Sequence, residues 1–157
     1  MTAPVLCELL DEDCGPDAHV DDNVVLPFEA RQKSRQRLCL ASGRVAGLNL
    51  PRGSVVRDGA LLGGDGIVVR VVAAHESVSV ATGDAAQLLR AAYHLGNRHV
   101  AVELGEQALV YLHDHVLDEM VRGLGLLVSV AEYAFEPESG AYSSAAPGVH
   151  SHHHQHD

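Results

Sequence analysis

The chain has 157 residues, with 21 acidic against 11 basic side chains, a formal charge of −10 when histidine is neutral. That balance argues against nucleic acid as a partner, because phosphate binding needs a clustered cationic surface. Apolar residues make up 46% but aromatics only 4%, with no Trp, so a core has to be built from Val, Leu and Ala. No apolar run approaches the ~20 residues that cross a bilayer. The N-terminus lacks the basic-then-apolar order of a secretory signal. The expectation is a soluble cytoplasmic protein with no membrane partner.

The first 22 residues hold seven acidic side chains and no Lys or Arg. With Gly15-Pro16 they read as an irregular acidic leader, residues 1–22, of open role. Residues 23–74 form the next unit, short and strand-like. Val24-Val25-Leu26, Leu38-Cys39-Leu40, Val45 to Leu50 and Ile67 to Val72 are apolar runs. Ser42-Gly43, Pro51-Arg52-Gly53, Arg57-Asp58-Gly59 and Gly63-Gly64-Asp65-Gly66 punctuate them as turns. No helical period is visible, so a small all-β domain is expected.

From His75 the pattern changes. Val78 and Val80 alternate with Ser77, Ser79 and Ala81, as in a half-buried strand. Asp84 and Gln87 have capping-box spacing, and Leu88, Ala92 and Leu95 then share a helix face up to Gly96. Val100–Leu104 and Ala108–Leu112 read as a hairpin. Asp114 can cap a second helix with a stripe of Val116, Leu117, Met120 and Leu124, its acidic pair Asp118 and Glu119 lying in the early turns. Val128 to Phe135 closes the set. Strand, helix, strand, strand, helix, strand is a ferredoxin-like βαββαβ arrangement, residues 75–142. The fold class is α+β, with residues 143–157 a disordered His-rich tail.

Cys7, Cys14 and Cys39 form no C-x-x-C pair and read as reduced bystander thiols. Histidine is the outlier, with 11 residues, five of them in the last eight. His150, His152, His153, His154 and His156 can wrap a transition-metal ion without a preformed site, unless the run is a purification tag. His113 and His115 flank a helix start and could present two imidazoles with open positions, or simply a polar loop that Asp114 caps. His99 alone, at a strand start, reads as a surface or satisfied core residue rather than a ligand. A twofold axis would nevertheless bring two copies onto one ion. An all-imidazole site would lose metal as pH falls through roughly 6.5. There is no G-x-S-x-G, P-loop or H-E-x-x-H, so no catalytic set stands out and the chain does not read as an enzyme. Arg31 to Arg37, with four basic residues in seven, reads as a solvated loop or strand edge, or as a docking patch for an acidic partner.

Taken in order, RQKSR, GLNLPRGSVVRDGALL, VVRVVAA, LLRAAYHLGNRH, DHVLDEMVRGLG and FEPESGAY resemble the urease accessory protein E family, over about residues 22–142. The resemblance implies a homodimeric nickel metallochaperone, not an enzyme. Its β domain would contact partners and its ferredoxin-like domain would bind metal. It assigns nickel at the dimer interface to His99, peripheral metal to His113 and His115, and accessory binding to the tail histidines. The implied partners are the urease apoprotein and its accessory complex, including the accessory GTPase. Cu2+ or Zn2+ would also bind in vitro. The alternative is a metal-storage or detoxification protein that binds mainly through its tail.

Overall fold

Residues 3–10 and 19–140 are described by the computed structural model. The five tail histidines, Cys14 and most of the acidic run of the leader lie outside the described residues.

Part of the leader departs from expectation. Val5–Leu6 (β1) and Glu8–Leu10 (β2) are strands, followed by Asp22–Leu26 (β3). The turn-rich stretch supplies Arg35–Cys39 (β4), Val45–Asn49 (β5), Leu61–Gly64 (β6) and Ile67–Ala73 (β7). They form two sheets, in the orders β1-β5-β4 and β2-β6-β7-β3. The leader therefore adds one strand to each sheet, parallel to β5 and antiparallel to β6. Leu6 is fully buried between the sheets with Val24, Leu38, Leu48, Leu62 and Val69. Glycine makes this approach possible: a Cβ on Gly64 would stand 2.0 Å from the Val5 carbonyl oxygen. The Gly-Gly-Asp-Gly motif also makes its expected hairpin, with Asp65 and Gly66 both at positive φ (46° and 76°), as a type I′ turn requires. The Asp65 carboxylate accepts the Val5 N–H at 2.8 Å, so the turn holds the leader as well.

The second half follows its expected order. The elements are His75–Thr82 (β8), Ala85–Gly96 (α2), Glu103–Leu104 (β9), Ala108–Leu112 (β10), His115–Gly123 (α3) and Leu127–Ala134 (β11). The sheet order β11-β8-β10-β9, antiparallel throughout, is that of a ferredoxin-like domain. No helix among the described residues is long and apolar enough to cross a membrane. Both faces of this sheet are used. Ala81, Leu109 and Tyr111 lie under the helices with Ala91, Leu95 and Val121. Val78 and Val110 point to the other face, where Phe28 and Phe135 cover them.

Phe28 belongs to the first half, in a single helical turn, Phe28–Arg31 (α1), inside the domain expected to be all-β. Its ring meets Phe135 edge-on at 5.3 Å, and its N–H donates to Glu76 at 2.7 Å. Arg31, first of the supposedly solvated basic run, is completely buried. Its guanidinium donates to Glu136 and to the Phe135 carbonyl. Arg57 donates to Glu136 at 3.2 Å, to the Pro137 carbonyl at 2.6 Å and to the Ser139 hydroxyl. The segment after β11 is thus a polar strap that ties the β domain to the ferredoxin-like domain. A buried guanidinium is tolerated only because carboxylate and carbonyl oxygens replace its water.

Candidate metal centre

Helix α2 begins where local chemistry dictates. Asp84 accepts the Gln87 N–H at 2.9 Å, and the Gln87 side chain accepts the Asp84 N–H at 3.0 Å. At the other end the His99 N–H bonds the Gly96 carbonyl at 2.9 Å and the Val100 N–H bonds the Leu95 carbonyl at 3.1 Å. These paired bonds make a Schellman motif, with Val100 and Leu95 sharing the core as its usual apolar contact. The residue at its left-handed position is His99, at φ 57°. Glycine is the normal occupant there, because a Cβ crowds the following carbonyl at a cost of roughly 1 kcal/mol. The imidazole of His99 is exposed at this position. On the same helix Leu89 and Tyr93 are 73% and 65% exposed, four residues apart and so on one face.

His113 and His115 bracket the start of α3. Asp114 caps it, accepting the Val116 N–H at 2.8 Å and the Leu117 N–H at 3.1 Å. Those bonds, Leu117 first, hold the Asp114 carboxyl below the usual carboxylate range, and the neighbouring imidazoles add to the effect. His115 is exposed. His113 is pinned: its Nδ1 lies 3.0 Å from the Ser79 hydroxyl and 3.4 Å from an Asp118 carboxylate oxygen. Among the described residues no three His, Cys, Asp or Glu side chains of one chain converge as a metal site. His99 stands at the end of α2 and the His113–His115 pair at the start of α3, as two separate features.

One expectation for α3 needs correction. Val116 is 60% exposed, and the inward stripe runs through Leu117, Met120, Val121 and Leu124. Asp118 lies in the first turn as expected and is also buried, accepting the Tyr111 hydroxyl at 3.0 Å with Arg122 at 3.6 Å. Sequence reasoning missed Asp118, Ser79 and Tyr111 as a group. The available signal was helical spacing, since Asp118 falls on the same arc as Val121.

A β domain strapped to a ferredoxin-like domain, with exposed imidazoles at two helix ends, makes this a two-domain α+β protein. The chain belongs to the UreE urease accessory protein family. Residues 6–74 match the family model of the UreE N-terminal domain and residues 75–157 that of its C-terminal domain. A urease accessory protein UreE of Alkalilimnicola ehrlichii is 56% identical over 127 residues, 80% of this chain and 78% of the relative. That of Teredinibacter turnerae is 55% identical over 130 residues, 82% and 84% of the two chains. That of Pseudomonas putida strain GB-1 is 53% identical over 132 residues, 82% and 80%.

Proposed function

We propose that this protein is a cytoplasmic nickel carrier of urease maturation, a homodimer in which two His99 imidazoles hold one Ni2+ ion as cargo for the urease apoprotein. The observation that carries this reading is the exposed imidazole at a left-handed helix end, where local stability favours glycine. One imidazole holds an ion weakly, and a twofold supplies the second without any new residue. The exposed Leu89 and Tyr93 on the same helix suit burial against a second copy. The C-terminal end of a helix also favours a cation.

His113, His115 and the tail residues His150, His152, His153, His154 and His156 would capture metal and pass it on. Two-imidazole sites with open positions exchange ligands readily, as transfer requires. Imidazole alone does not exclude Cu2+ or Zn2+ in vitro. The receiving partners are the urease apoprotein and its accessory complex, with the accessory GTPase. No catalytic role is assigned.

Equilibrium dialysis against Ni2+, on the full chain with the five tail histidines changed to Ala, tests the reading. About one tightly held ion per two chains is expected, lost on His99→Ala. No uptake by the tail-substituted chain would overturn it in favour of storage or detoxification through the tail.

A further inference from the structure

We propose that Asp118, with Ser79 and Tyr111, is a positioning set that turns the His113 ring so that Nδ1–H points inward and the Nε2 lone pair outward, ready to ligate a divalent metal. The inference rests on the reading of His113 as a capture residue and says what makes that residue competent.

The set is assembled from three elements. Ser79 and Tyr111 are cross-strand partners on β8 and β10, on the helix-covered face of the sheet. Helix α3 places the buried Asp118 above them. Buried polar groups require partners, so the protons in this cluster have few arrangements. The Tyr111 hydroxyl donates to one Asp118 oxygen at 3.0 Å. The Ser79 hydroxyl, able to donate or to accept, lies 3.0 Å from the His113 Nδ1. The second Asp118 oxygen, a carboxylate acceptor, faces the same Nδ1 at 3.4 Å. A carboxylate oxygen facing the ring nitrogen favours the tautomer that carries its hydrogen there, and the Ser79 hydroxyl can then accept from it. The neutral ring then has its lone pair on Nε2, at a side chain that is partly exposed. A carboxylate behind a ligating imidazole fixes its tautomer and raises its basicity. His115, on the same helix end, has no such support among the described residues and serves as the internal comparison.

Long-range 1H–15N correlation of the imidazoles, in the full chain without metal at pH 8, reads the tautomer directly. His113, assigned by its disappearance in His113→Gln, should show the Nδ1–H form. Asp118→Asn keeps an acceptor for Tyr111 but can turn an N–H donor toward Nδ1, and should shift His113 to the Nε2–H form while His115 stays unchanged. With His99 and the five tail histidines changed to Ala, Asp118→Asn should weaken Ni2+ binding about tenfold. An Nε2–H ring in the unsubstituted protein, or one unmoved by Asp118→Asn, overturns the proposal. Should Asp118→Asn fail to fold, Ser79→Ala decides: its His113 population must shift toward Nε2–H, and no shift overturns the proposal. If the tautomer behaves as expected but His113→Ala costs no Ni2+ affinity, the capture reading fails while the positioning stands.

Discussion

The two histidine-bearing helix ends solve opposite problems. At the end of α2, His99 occupies a backbone conformation that disfavours it, in an electrostatic setting that suits a cation. At the start of α3, His113 and His115 sit in relaxed positions, but the helix N-terminus repels positive charge. Asp114 and Asp118 lie against that end and offset the repulsion. The α2 end thus holds its imidazole on strained backbone, whereas the α3 end holds the His113 imidazole by side-chain contacts. A site of the first kind can be tested by relieving the strain, and one of the second by cutting the bonds.

The largest separation between the two ends should come from metal stoichiometry. In the tail-substituted chain His99→Ala should abolish the ion shared between two chains, and His113→Ala should leave it in place. Equal loss from both variants, measured by dialysis, would merge the two ends into one site. Activation of urease in nickel-limited cells should fall with His99→Ala in the same order.

A smaller effect, of opposite sign for stability and function, is expected of His99→Gly. Removing the Cβ at φ 57° should raise unfolding free energy by about 1 kcal/mol while eliminating the shared ion. Urea unfolding of metal-free protein measures the first quantity. A destabilised Gly variant would show that the imidazole contributes packing and that the strain is not there.

The smallest effect is local and acid-dependent. Because its folded carboxyl is held below the usual range, Asp114 stabilises the start of α3 above its unfolded pKa, and that contribution disappears as pH falls through the folded value. Amide-exchange protection of Val116 and Leu117 should therefore drop as the pH falls through and below the usual carboxylate range. Protection of His99 and Val100, whose bonds go to backbone carbonyls, should drop less. A parallel acid effect operates in the β domain. There the bond from Ser42, helped by the Asn23 N–H and by Arg44, lowers the Asp22 carboxyl to about 2. Local exchange must therefore be read separately from global unfolding.

What could be read directly from the sequence was whatever is decided within a few residues. The Asp84–Gln87 capping box, the Asp114 cap and the Asp65-Gly66 turn each depend on side chains and φ preferences inside a four-residue window, and all three stand where their spacing puts them. The βαββαβ order follows from such signals joined by short connections. The resemblance carried by the GNRH and H-D-H motifs likewise named the histidines, though not their settings. Tertiary structure alone decided the rest. The leader strands exist because distant glycines let their backbone approach, and Arg31 is buried because Glu136, 105 residues away, meets it. Asp118 turns inward because Tyr111 and Ser79, on other strands, receive it. Sequence distance hides such partners, and whether a polar side chain is solvated or buried depends on partners that only the folded chain brings together.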